Sequence, residues 1–159
     1  MYFFLCVKSI IMKICIAGST GGHLLQLLQL RQVYIKFDHF FLTFKRPMSQ
    51  SLAKKEKVFF VKDPGKNPFN LLVNIFQSLS IFIKQKPDVV ISTGAGVAVP
   101  ICYFAKMFGK KVIFIESFSR VNKPSLSGSL VHPITDLFIV QWKPLLKFYN
   151  KAVYGGSIF

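Results

Sequence analysis

Acidic residues are scarce in this chain: 6 Asp and Glu stand against 21 Lys and Arg, leaving a formal net charge of +15. A surface so poor in carboxylates favours an anionic partner, whether phosphorylated substrate, anionic lipid or nucleic acid. Cysteine is scarce too. The 3 cysteines, Cys6, Cys15 and Cys102, sit in apolar runs without C-x-x-C spacing, which argues against a zinc site or a disulfide frame. His23, His39 and His132 share no ligand spacing, so neither a metal nor another cofactor is called for. No G-x-S-x-G elbow announces a serine nucleophile, and neither a G-x-G-x-x-G turn nor a Walker loop is present.

Long hydrophobic runs are also missing. Hydrophobic residues make up 52% of the chain and mean hydropathy is +0.44. Yet no uncharged stretch reaches the roughly 18 residues that a membrane-spanning helix needs. Tyr2 to Ile11 is apolar but short, is interrupted by Lys8, and lacks a small-residue cleavage site. Because Met12-Lys13-Ile14 offers a second start, residues 1–11 read best as an upstream extension, with a short membrane-dipping segment as the rival reading. Residues 12–159 then form one domain, since repeats and low-complexity linkers are absent. High apolarity joined to high basicity points to a membrane surface more than to nucleic acid. A polar RNA-binding module would not need 18 Phe, and no aromatic-basic motif of such modules is visible.

What the chain does contain is alternation. Apolar β-like runs lie at 13–17, 39–43, 58–61, 88–92, 111–115 and 137–140, with a weaker one at 152–154. Helix-like stretches separate them at 22–35, 47–55, 69–85, 97–108, 125–132 and 142–148. This order predicts an α/β domain with a parallel, Rossmann-like sheet covered on both faces. Ligands then bind at the carboxyl ends of the strands, where three marked loops fall.

The first is Gly18-Ser19-Thr20-Gly21-Gly22-His23, between an apolar strand and an apolar-periodic helix. A helix start presents unsatisfied N–H groups and partial positive charge, suited to an anion. His23 at its edge can act as a base or polariser. The second is Ser92-Thr93-Gly94-Ala95-Gly96, a second glycine turn opening a helix. The third is Glu116 to Arg120, after the strand Val112–Ile115. Each has a plain alternative: glycines that serve only packing, or a Glu116–Arg120 pair that pins its loop. Three such loops on one edge favour a site more than any one of them does.

The stretch from Phe69 to Ile83 forms a helix with a very wide apolar face, flanked by Lys62, Lys66, Lys84 and Lys86. It suits in-plane binding to an anionic membrane, burial between layers, or a protein partner.

Taken together and in order, Gly18–His23, Ile91–Pro100, Ile115–Val121, Ser125–Gly128 and Phe138–Trp142 resemble PssD-type capsule and exopolysaccharide proteins. These are bacterial relatives of the membrane-anchoring subunit of the transferase that adds the second N-acetylglucosamine to dolichyl diphosphate. The resemblance covers residues 12–159. It implies the N-terminal, acceptor-side half of a GT-B glycosyltransferase, with the donor-binding half on a separate chain. It implies transfer of galactose or N-acetylglucosamine from a UDP-sugar to a polyprenyl-diphosphate-linked sugar, with little activity in the isolated chain. A non-catalytic membrane anchor for the partner enzyme is the alternative. By the same resemblance, His23 and Glu116 are the candidate catalytic residues. Gly18, Ser19, Thr20, Gly21, Gly22, Thr93, Gly94, Gly96 and Arg120 would bind substrate, with Glu116 and Arg120 shaping the cleft or meeting the partner. Gly155–Phe159 would lie where a single-chain relative continues into its second domain. Attachment to the cytoplasmic face of the membrane would be peripheral, through the 69–83 helix and the lysines.

Overall fold

A computed structural model describes residues 12–158. Both readings of residues 1–11 fall outside that range. Seven strands form one all-parallel sheet: β1 (Lys13–Gly18), β2 (Asp38–Thr43), β3 (Val58–Phe60), β4 (Val89–Gly94), β5 (Lys111–Ile115), β6 (Leu137–Val140) and β7 (Ala152–Tyr154). Their spatial order is β3-β2-β1-β4-β5-β6-β7. After β3 the chain crosses to the far side of β1, so β1 and β4 are neighbours whose onward connections diverge. That is a topological switch point, and a crevice opens at its carboxyl end.

Alternation within the strands sets the two cores. Cys15, Ala17, Phe40, Leu42, Val90, Val112, Phe114, Phe138 and Val140 point to one face, and Ile14, Ile16, Phe41 and Ile91 to the other. Helices α1 (Gly22–Gln29) and α2 (Arg31–Tyr34) cover the second face through Leu24, Leu27 and Tyr34, and α3 (Pro47–Leu52) adds Met48 and Leu52. Helices α4 (Pro68–Gln85), α5 (Val99–Met107) and α6 (Leu126–Val131) belong to the first face. Over β6 and β7 the second face stays open, with Leu137 and Val153 exposed.

The sequence expectation of one helix over 22–35 is corrected. The helix breaks at Leu30, whose ψ of 11° leaves the helical range, and Leu30 N bonds Leu27 O in a tightened last turn. The expected helix at 142–148 is a 3₁₀ turn, Lys143–Lys147, too short and proline-started to propagate.

Helix α4 is turned inside out. Its protein-facing stripe is Asn74, Ser78 and Phe82, all buried. Asn74 Nδ2 donates to Lys62 O at 2.8 Å, and Ser78 Oγ donates to Asn74 Oδ1 at 3.2 Å, so the buried polar atoms are satisfied. Much of its apolar surface faces outward: Phe69 is 70% exposed, Phe76 69%, Leu72 53% and Ile83 53%. The expectation that this helix lies buried between layers therefore holds only for its inner stripe. No helix among the described residues is long and apolar enough to cross a membrane.

Candidate functional site

The loops after β1, β4 and β5 meet at the switch point. They enclose a pocket of about 300 Å³ lined by His23, Ala95, Gly96, Ser117, Ser119, Arg120, Ser125 and Ser127, with Gly65, Val99, Leu126 and Leu130 closing it.

His23 is held from β4. Its Nδ1 lies 2.8 Å from Thr93 O, and Thr93 Oγ1 donates to His23 O at 3.0 Å. A carbonyl only accepts, so Nδ1 carries the proton, and in the neutral ring Nε2 keeps its lone pair. Burial holds the imidazole below its ordinary value of 6.5; the Thr93 carbonyl and the Glu116 charge oppose that shift less strongly. A neutral ring with a free Nε2 is what a general base requires. Thr93 is available for this bond because the register between β1 and β4 slips there. Ala17 pairs Ser92 and Gly18 pairs Gly94, leaving Thr93 as the extra residue.

The glycines serve separate purposes. Gly18 is buried, and a Cβ there would sit 2.8 Å from Leu27 Cδ1, so it permits close packing of helix on strand. Gly21 caps α1 with φ 80° and ψ −137°, a conformation open only to glycine. Gly22 is exposed with open space around it. Gly94 combines φ 109° with crowding, since a Cβ would lie 3.1 Å from Ser127 Oγ and 3.4 Å from His23 Cε1. Ala95 follows at φ 73° and ψ 151°, a strained setting for a residue with a side chain. Its N–H donates to Ser127 Oγ at 3.1 Å, which ties the β4 loop to α6. Gly96 lines the pocket. Ser19 lies in an adjoining hollow beside Phe44, Asp63 and Gly65, and Thr20 lines none of these spaces.

Glu116 stands behind the pocket wall. It is 1% exposed and takes no part in the pocket lining. Its Oε1 accepts from Ser117 N at 2.9 Å. Its Oε2 accepts from Ser125 N at 3.1 Å, Ser125 Oγ at 3.0 Å and Tyr149 Oη at 2.5 Å. Burial, followed by the bond to this carboxylate, pushes the Tyr149 phenol well above its ordinary value. Gly128 closes the nest, for a Cβ there would fall 2.4 Å from Glu116 Oε2. Glu116 thus ties the Ser117 and Ser125 turns together from behind the pocket lining. Arg120 is exposed, lines the pocket, and forms no ion pair with Glu116 among the described residues. The pinned-pair expectation gives way to a free guanidinium at the rim.

Sequence reasoning missed the serines, and it missed the clamp behind them. Gln26 Oε1 accepts from Phe118 N at 3.0 Å and from Gln141 Nε2 at 2.8 Å. Gln141 Nε2 also reaches Glu116 O at 3.0 Å. Trp142 Nε1 donates to Phe118 O at 2.7 Å. A readable signal existed in the density of serine over 117–129 and in Ser125, which caps α6 by accepting from Gly128 N at 2.8 Å. Among the described residues, no group of three or more His, Cys, Asp and Glu is arranged to hold a metal ion.

Residues 13–158 match the family described as Oligosaccharide biosynthesis protein Alg14 like. A similar curated relative is the UDP-N-acetylglucosamine transferase subunit ALG14 of Candida albicans, 40% identical over 97 residues, 57% of this chain and 44% of the relative. The chain therefore matches under half the length of that relative. Among solved structures, the Acinetobacter baumannii MurG superposes with a TM-score of 0.70 at 17% identity, over 84% of this chain and 42% of MurG. The UDP-N-acetylglucosamine 2-epimerase of Rickettsia bellii gives 0.75 at 15% identity, over 93% and 45%. At such identities the likeness is one of fold.

Proposed function

The chain belongs to the Alg14 family, and from that membership and the pocket's geometry we propose that it is the acceptor-side subunit of a two-chain glycosyltransferase. Its acceptor is a polyprenyl-diphosphate-linked sugar, its donor a UDP-hexose held by a partner chain, and its setting capsular or exopolysaccharide synthesis. N-acetylglucosamine is favoured over galactose as the transferred sugar by the relatives' names. The observation that carries the reading is the His23 ring, fixed through Nδ1 and lining a serine-walled pocket at the switch point.

In the proposed step the acceptor hydroxyl oxygen bonds to the anomeric carbon of the donor sugar. The bond from that carbon to the UDP oxygen breaks, UDP leaves with the electron pair, and the hydroxyl proton passes to His23 Nε2. The serine hydroxyls orient the acceptor sugar. Arg120 and the N–H groups at Gly21 and Gly22, which open α1, face the diphosphate. Gly18, Thr93, Gly94 and Gly96 act by shaping the loops, Ser19 and Thr20 lie at the margin, and Glu116 positions the serine turns. The open second face over β6 and β7, with Leu137 and Val153, is a ready seat for the partner.

Membranes from cells making this chain, the partner, or both test the reading, with labelled UDP-N-acetylglucosamine and UDP-galactose and an undecaprenyl-diphosphate-sugar acceptor. Strong transfer is expected only with both chains. Equal transfer by the partner alone would leave this chain as an anchor.

The same proposal sets the domain on the cytoplasmic face of the membrane, with α4 in the interface plane and Lys62, Lys66, Lys84 and Lys86 toward anionic headgroups. Exposed Phe69 and Phe76 are the anchors. Replacing either with Ser should lower binding to phosphatidylglycerol vesicles about tenfold, given ~1.5–3 kcal/mol for one buried Phe. Co-sedimentation measures it, and unchanged binding would remove α4 from the contact.

A further inference from the structure

The serine-lined pocket does not end at its own walls. Gly65, Gly96, Val99 and Leu130 line it and also line a second hollow of about 350 Å³. That hollow runs beneath the turn joining β3 to α4, where Pro64 and Pro68 complete it with Leu71. The two hollows adjoin across the four shared residues, and their character differs. At one end stand hydroxyls, an imidazole and the Arg120 guanidinium. At the other the lining is mainly prolyl, valyl and leucyl carbon, with Lys66 and Asn67 beside it. Gly96 makes the junction passable, because a Cβ there would already sit 3.4 Å from Pro64 Cγ and any larger side chain would close the gap.

We propose that this apolar groove seats the isoprenoid chain of a polyprenyl diphosphate, immediately beyond a head group held in the serine-lined pocket. The proposal rests on the acceptor reading above and extends it to the lipid part of the substrate. Two features point to the occupant. The groove adjoins a polar pocket, so its ligand is an amphiphile with an anionic head. Its far end lies at Leu71, one residue from exposed Leu72 on the apolar strip of α4, so a long chain leaves the groove directly into a bilayer. Only the first isoprene units are held by protein.

The test uses the purified full chain and measures binding of three soluble probes by calorimetry: inorganic diphosphate, farnesyl diphosphate, and dodecyl diphosphate, whose linear chain has the same main-chain length. Farnesyl diphosphate should bind at least about tenfold more tightly than inorganic diphosphate, since burying even two CH₂ equivalents suffices for that factor. Leu71 is 40% exposed and lines the apolar groove but not the serine-lined pocket, so Leu71→Gln should keep the fold. It should erase the farnesyl advantage and leave diphosphate binding unchanged. Arg120→Ala should weaken both probes together. If inorganic diphosphate binds and farnesyl diphosphate binds no better, the groove assignment falls and the head-group reading stands. If dodecyl diphosphate matches farnesyl diphosphate, the isoprenoid assignment is overturned. If no probe binds, the head-group reading fails and takes the groove with it.

Discussion

Replacing His23 with Ala in the assembled complex should slow transfer about 10²–10⁴-fold, the usual loss when one general base is removed. Assembly with the partner should survive, since the ring's only hydrogen bond among the described residues is Nδ1 to Thr93 O. Losing one such bond costs about 1 kcal/mol, well within the stability of a domain this size. His23→Asn separates the two duties of the ring. An Asn amide nitrogen occupies nearly the place of Nδ1 and keeps the bond to Thr93 O, but it has no lone-pair nitrogen at the position of Nε2. A slow Asn variant assigns proton transfer to His23; a variant near wild-type rate assigns it positioning alone. The pH profile provides a second check. A base must be unprotonated to work, so activity falls as pH drops through its pKa. Burial lowers the His23 value, so this acid limb should lie below the ordinary 6.5. It should vanish in the Asn variant. A limb that persists there belongs to another group.

The fold was largely legible because parallel sheets advertise themselves. Strands buried on both faces, such as Val112–Ile115, are continuous apolar runs that no surface helix would carry. The glycine turn ending in His23 was legible for a local reason, as strand, turn and helix lie within a few residues. The setting of Glu116 was not legible because its surroundings are not local. Tyr149 lies 33 residues away and Ser125 nine, and only the folded sheet brings their hydroxyls to one carboxylate. A rare acid at a strand's carboxyl end looks the same from sequence whether it faces a ligand or turns from it. Helix α4 misled in another way. Asn74 and Ser78 share a stripe, which propensity alone would give to water. The fold buries that stripe, where Asn74 donates to Lys62 O and Val97 O, and Phe69, Leu72 and Phe76 are left outside.

The largest stability effect should come from Glu116→Ala. The substitution orphans Ser117 N and Ser125 N in a buried setting, and it strips the acceptor from the Ser125 and Tyr149 hydroxyls. Two unsatisfied buried amides at ~1–3 kcal/mol each, with the hydroxyls partly able to turn elsewhere, give a loss of about 3–5 kcal/mol. For a chain of this length that lowers the thermal midpoint by roughly 10 °C or more. Circular dichroism melting measures it. Activity falls with it, so the Ala variant alone cannot tell a collapsed wall from a lost catalytic group. Glu116→Gln can. Its remaining oxygen can still meet the three donors gathered at Oε2, while its amide turns toward Ser117 N, where one bond is lost. The fold should hold, and transfer should stay within about tenfold of wild type. A well-folded Gln variant slowed more than about 10²-fold would return Glu116 to the reacting atoms. Gly128→Ala offers an independent route to the same nest, pressing a methyl against the carboxylate oxygen without removing any polar group. If Glu116 works only by holding the serine turns, Gly128→Ala should reproduce its losses in both stability and rate. If the carboxylate itself reacts, the two variants should part, with Gly128→Ala losing stability while its residual folded fraction keeps its rate.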